Sequence, residues 1–220
     1  MLLQYIVYIA LGSILNNTYS LIYNLIAEYG YLAVFALMLL ENSSVPVPSE
    51  IILPLAGFFA AKEPASFNFY IALVAALLGS LSGLAIDYFI GYYLGKDVVY
   101  RHLALFHISK KTLDDFDSWF NKNAVPAILV TRLIPVVRTV MSFPAGFAKM
   151  PKRKFFSYSM LGSGIYDFIL MLFGFEALPS NNALLIMASA GVLIIFFYIV
   201  YAEVKKSIRK SRENPKGSAQ

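Results

Sequence analysis

The chain has 220 residues, 59% of them hydrophobic and only 14% charged, where an ordinary soluble domain carries about 25% charged residues. That balance excludes a conventional soluble globule and points to an integral membrane protein. The absence of cysteine excludes a disulfide framework, thiolate metal sites and cysteine nucleophiles. The net charge of +5 is no nucleic-acid signal, because the basic residues flank apolar segments.

In chain order, residues 1–27 read as an N-terminal membrane helix. Leu2 to Ile26 is apolar but interrupted by Asn16, Asn17 and Thr18; it lacks a basic leader and a small-residue cleavage site, so it is expected to be retained and to span. Residues 28–178 read as one core. It opens with two apolar runs, Tyr29–Leu40 and Ile51–Ala61, on either side of Glu41-Asn-Ser-Ser-Val-Pro-Val-Pro-Ser-Glu50. At about 1.5 Å per residue, each run reaches about 17 Å, a little over half of a ~30 Å hydrocarbon core. Neither arm spans, and one continuous helix would carry Pro46 and Pro48 in its middle. A re-entrant hairpin over 29–61, its polar tip near the midplane against protein or water, is the economical solution. Ser49 is placed to cap the second arm with Glu50 in its first turn, while Pro54 and Gly57 are expected to make that arm irregular. Ionisable residues at this depth are costly, which marks Glu41 and Glu50 as functional candidates.

Residues 67–94 are long enough to span. Gly79, Ser80, Ser82 and Gly83 suit close helix packing, whereas Asp87, one turn on, is a carboxylate that should face a site. Residues 95–123 mix both charge signs and read as a solvated cytoplasmic connector with an amphipathic stretch around Leu113, Phe116 and Phe120. Residues 124–150 repeat the opening logic with basic residues. Short apolar runs surround Thr131-Arg-Leu-Ile-Pro-Val-Val-Arg138, and Ser142-Phe-Pro-Ala-Gly146 is expected to break the chain again through Pro144 and Gly146. On a regular helix Arg132 and Arg138 would diverge by about 120°; Pro135 between them could let the guanidinium groups converge. Residues 155–175 span and carry Asp167, residues 179–201 form a C-terminal transmembrane helix, and residues 202–220 are a basic tail.

The expected fold is therefore an all-α integral membrane protein with about four full spans. Its core is an inverted repeat of two re-entrant helical hairpins, each followed by a transmembrane helix. Ser82-Gly-Leu-Ala-Ile-Asp87-Tyr-Phe-Ile90 resembles Ser163-Gly-Ile-Tyr-Asp167-Phe-Ile169 with one residue deleted. The basic residues concentrate in 95–123, 149–154 and the tail, which places those regions, and both termini, in the cytoplasm. The hairpins then enter from opposite faces, an arrangement that recurs in transporters. At membrane depth lie Glu41, Glu50, Asp87 and Asp167 against Arg132 and Arg138. Arginine's planar fork suits a phosphate or carboxylate, and an anion taking up the arginines would free the acids to exchange protons. Arg132 and Arg138 are thus the substrate-binding candidates and the four acids the counter-charges and proton carriers. Pro46, Pro48, Gly57, Pro135, Pro144 and Gly146 shape the hairpins.

Glu41 with Pro46-Val-Pro-Ser-Glu50 and Gly57, then Arg132-Leu-Ile-Pro-Val-Val-Arg138 with Pro144-Ala-Gly146 and Met150, resembles the DedA family of membrane proteins. Its wider superfamily carries the VTT domain, also known as "SNARE-associated Golgi protein". The resemblance covers roughly residues 27–178 and implies opposed re-entrant hairpins and lipid translocation in the cell membrane. The implied substrate is undecaprenyl phosphate, or in some members a phospholipid, moved in a proton-dependent way. The family's acidic pair falls on Glu41 and Glu50 and its arginine pair on Arg132 and Arg138. Ser49 stands where glycine commonly precedes the acid, Lys96 where arginine often stands, and Gly174-Phe175 where Gly-Tyr closes the last repeat span. The partners implied are a membrane lipid with a phosphate headgroup and protons. A homo-oligomer is left open; no nucleic acid, cofactor or metal is expected.

Three rival readings are weaker. An intramembrane serine protease built on Ser82 lacks a base, because His102 and His107 fall in the polar connector; the same two histidines make a poor metal site. A small-solute or ion secondary transporter shares the architecture, and a non-transporting envelope or division scaffold would need the arginines only for packing. In the leading reading, a lipid phosphate enters between the hairpins, and rocking of one repeat against the other exposes it to the cytoplasm.

Overall fold

The computed structural model describes residues 2–45, 47–102, 128, 131–132, 138 and 141–177, and for residues 2–15 and 95–102 it describes the backbone alone. Pro46, Pro135, the connector beyond residue 102, most of the expected second hairpin, the expected helix over 179–201 and the tail lie outside the described residues. Among the described residues every regular element is an α-helix. Helix α1, Leu2–Tyr29, runs through Asn16-Asn-Thr18 without a break. Gly30, at φ 56°, allows the chain to turn into α2, Tyr31–Asn42.

The first hairpin is α2 and α3, Ser49–Lys62. Helix α2 ends because Ser44 takes φ 61° and Val45 N–H donates back to the Leu40 carbonyl at 3.2 Å, a Schellman closure. Helix α3 starts on the extended Pro48, whose carbonyl accepts from Ile51 and Ile52. Ser49 is thus the first helical residue and not the cap, and its hydroxyl turns instead to Glu41. Helix α3 is also continuous through Pro54, contrary to the irregular arm expected. Packing decides this: Gly174 lies directly against the Pro54 backbone and Gly57 against the Met171 carbonyl, so close that neither glycine has room for a Cβ.

Helix α4, Phe69–His102, is 34 residues long. It outlasts the expected span at Leu94, because Gly95 alone does not end a helix that Lys96 to Tyr100 can continue. Helix α5, Ser142–Phe147, occupies the segment expected to break the chain. Pro144 is tolerated there because it sits in the first turn, where backbone N–H groups have no helical partner. Lys149 at φ 49° and Met150 N–H donating to Ala145 close α5 as α2 is closed. Helix α6, Lys152–Ala177, is the second long helix. Phe69–Leu94 and Lys152–Ala177 are each long and apolar enough to cross a membrane, and their outward faces carry Tyr70, Val74, Leu78, Leu161 and Phe168.

Glycine governs the closest approaches. Gly79 and Gly83 of α4 meet the Phe35 and Leu39 carbonyls of α2, and Gly91 and Gly146 hold α4 against α5. The strongest pairings are α2 with α4, α3 with α6, and α4 with α5. Two apolar clusters result. One joins α1, α2, α3, the start of α4 and the end of α6; the other joins the middle of α4 with Ile128, Ala145, Met150 and Phe155.

Candidate functional site

A polar layer separates the two clusters. Along α4 the buried residues step by four, Ala72, Ala76, Ser80, Leu84 and Tyr88, with the serine between the apolar pairs. Helix α6 runs the other way, from Phe155 in one cluster through Ser159, Ser163 and Asp167 to Leu170 and Met171 in the other. The buried stripe of α2, Ala33, Val34, Leu37 and Met38, ends on Glu41 and Asn42. The spacing that packs this helix therefore also delivers a carboxylate and an amide into the layer.

Arg138, 1% exposed, is the hub. Its Nη2 lies 2.7 Å from Glu41 Oε2, its Nη1 3.5 Å from Asp167 Oδ1, and its guanidinium 4.1 Å from the centre of the Tyr166 ring. The two carboxylate contacts are ionic and the ring contact is face-on. Glu41 is held further by Ser49 Oγ at 3.4 Å and by the Asn42 amide, which also donates to Ser80 Oγ at 3.3 Å and to the Met38 carbonyl at 3.0 Å. Ser80 in turn donates to Asp167 Oδ2 at 3.3 Å.

Arg132 is also fully buried but differently surrounded. It donates to Ser142 Oγ at 3.0 Å, to Ser159 Oγ at 3.3–3.4 Å and to the backbone carbonyl of Arg138, and it stands 5.6 Å over the Phe155 ring. No carboxylate among the described residues pairs with it. The Arg132 guanidinium thus reaches the Arg138 backbone, and the two guanidinium groups have unequal partners. Asp87 is buried on the hairpin side and accepts from Ser44 Oγ at 2.6 Å, tying the tip to α4. Glu50 stands apart: it is exposed at the layer's edge and accepts from Tyr166 Oη at 2.9 Å. Pro48, Gly57, Pro144 and Gly146 lie at the start of α3, the α3–α6 contact, the first turn of α5 and the α4–α5 contact.

Sequence reasoning did not single out Asn42, Ser80, Tyr166, Ser142 or Ser159. Ser80 reads as one more small packing residue and Tyr166 as one more apolar one; only Asn42, an amide next to Glu41 in an apolar run, carried a visible signal. Tyr88 anchors the second cluster, its hydroxyl donating to the Met150 carbonyl at 2.5 Å and its ring stacking on Phe155 at 4.5 Å.

The VTT domain family matches residues 47–176. Undecaprenyl phosphate transporter A of Staphylococcus aureus is 33% identical over 86% of this chain and 95% of its own length. An alkaline phosphatase-like protein of Lactococcus lactis subsp. cremoris is 29% identical, over 83% of this chain and 85% of its own. Protein DedA of Escherichia coli is 26% identical, over 78% and 81%. No solved structure matches the chain at comparable significance.

Proposed function

The chain belongs to the VTT-domain family, and from that premise we propose that it carries an anionic lipid, undecaprenyl phosphate first among candidates, across the cell membrane in exchange with protons. The observation that carries this reading is Arg138: a buried guanidinium ion-paired to carboxylates on two different helices, Glu41 and Asp167. A phosphate offers several oxygens in the geometry an arginine fork fits, and its arrival would release Glu41 and Asp167 to take up protons.

The S. aureus relative, named for undecaprenyl phosphate transport, covers nearly the whole chain and supports that choice of cargo. The inverted-repeat reading draws support from the layer's depth. Helix α2 descends to it, α3 returns from it, and it crosses α4 at Ser80, close to the middle of Phe69–Leu94. Arg132, caged by serines, is the second phosphate ligand in this proposal, and Asp87 and Glu50 are proton carriers at its two edges. Both termini are placed in the cytoplasm, as the distribution of basic residues suggests.

Lipid transfer in liposomes tests this. Polyprenyl phosphate and phospholipids are compared with and without a pH gradient, while soluble-dye leakage and inorganic phosphate are monitored. Transfer of the polyprenyl phosphate that responds to the gradient is expected. Full transfer in both Arg132→Ala and Arg138→Ala would sink the mechanism. Uptake of a soluble solute without lipid transfer would favour a small-solute transporter, and phosphate release would favour a hydrolase.

A further inference from the structure

Five side chains of the layer close a ring. From Arg138 it passes to Glu41 Oε2, to Asn42 Nδ2, to Ser80 Oγ, to Asp167 Oδ2, and through Asp167 Oδ1 back to Arg138. Glu41 is 6% exposed and the other four are 1% or less. The ring draws on α2, α4 and α6 as well as residue 138, so it cannot be a by-product of one helix's local geometry. The Asn42 amide shares its two hydrogens among Glu41, Ser80 and the Met38 carbonyl, and the Ser80 hydroxyl donates to Asp167.

We propose that Asn42 and Ser80 are positioning residues that join Glu41 and Asp167, on two different helices, into one proton-holding unit around Arg138. This rests on the proposed proton-linked transport and assigns part of that linkage to two neutral residues. With both carboxylates ionised the ring holds two negative charges against one positive. A dry layer resists that imbalance, and a bound proton removes it. Donors aimed at a carboxylate favour its charged form, so the bridge opposes uptake of that proton. It sets the balance for both acids because each is tied to the other through it. The other charged and titratable groups around the ring are Arg132, bonded to the Arg138 carbonyl; Tyr166, under the guanidinium; Glu50, bonded to Tyr166; and Asp87, bonded to Ser44 at the hairpin tip. None of them touches the Asn42–Ser80 link among the described residues.

The test is an infrared titration of buried carboxyl groups in the full-length protein reconstituted in bilayers, with Glu41→Gln and Asp167→Asn assigning the bands. In Ser80→Ala the pH at which the protonated carboxyl band half-disappears should rise by about one unit, the worth of one hydrogen bond to a charged acceptor. Ser80→Thr, which keeps the hydroxyl, should hold the wild-type midpoint. Asn42→Leu probes the other half of the bridge independently of how position 80 accepts substitution, and should shift the midpoint in the same direction. The acid limb of lipid transfer should move with the infrared midpoint. Unchanged midpoints in Ser80→Ala and Asn42→Leu would overturn the proposal, as would equal shifts in Ser80→Ala and Ser80→Thr. The titration requires no transported lipid, so a wild-type protein that moves no lipid phosphate would defeat the proposed function and leave the ring result standing.

Discussion

Replacing Arg138 with methionine removes the only cation paired with Glu41 and Asp167 among the described residues. At an effective dielectric constant of about 20, contacts at 2.7 and 3.5 Å correspond to gross attractions of about 6 and about 5 kcal/mol. Desolvation of three buried ions has already taken back most of that, so the measured loss should be about 3–5 kcal/mol, the usual cost of orphaning a buried charge. The informative step is the second one. Adding Glu41→Gln to Arg138→Met removes the nearer orphan and should recover about 1–3 kcal/mol, while lipid transfer remains abolished in both variants. Unfolding by denaturant titration in mixed micelles, paired with the liposome assay, separates the two outcomes. If the losses simply add, or if the double variant still moves lipid, Arg138 and Glu41 are not the coupled pair described above.

Other perturbations act on single features. Ser44→Gly should be about 1 kcal/mol more stable than Ser44→Ala, because both lose the bond to Asp87 and only glycine relieves the left-handed backbone; thermal melts in detergent decide it. Gly174→Ala should fail to yield folded protein on size-exclusion chromatography, since its Cβ would enter the Pro54 backbone. Arg132→Lys keeps the charge but not the fork that reaches Ser142, Ser159 and the Arg138 carbonyl, and transfer should fall at least tenfold; transfer at wild-type rate would refute it. Tyr166→Phe should cost about 1 kcal/mol for its bond to Glu50 while keeping the ring beneath Arg138, and Tyr166→Leu should cost more.

Much of this was legible in the chain because membrane burial turns rare residues into signals. Glu41, Asp87, Asp167, Arg132 and Arg138 stood out as charges in apolar runs, and all five are buried here. Glu50 read the same way, yet it is exposed, because its place in the first turn of α3 points it to the layer's edge. Serines leave little trace in a sequence, since Ser80, Ser142 and Ser159 acquire their roles only through partners on other helices. Helix continuity through Pro54 and Pro144 was likewise hidden. A proline's local cost is visible in the chain, but the glycine contacts that hold α3 against α6 and α5 against α4 are tertiary.

Those contacts also bear on how the layer could open. Rocking one repeat against the other would have to part α3 from α6 and α4 from α5, the pairs in which glycines let backbones touch. Opening that spares them instead divides α2, α4 and α5 from α3 and α6, a boundary the chain crosses between α2 and α3, between α3 and α4 and between α5 and α6. That boundary runs through the ionic ring: Glu41, Asn42 and Ser80 fall on one side and Asp167 on the other. Cross-linking tests whether α4 and α6 must part, as both partitions require, and the chain has no native cysteine to interfere. Phe69→Cys with Phe175→Cys bridges the boundary where the rings stand 5.5 Å apart. Tyr31→Cys with Phe67→Cys joins α2 to the segment that leads into α4, their rings at 4.7 Å. With a short thiol cross-linker, the first pair should arrest lipid transfer until the link is cleaved and the second should not. Unimpeded transfer through a fully linked first pair would show that the layer opens elsewhere.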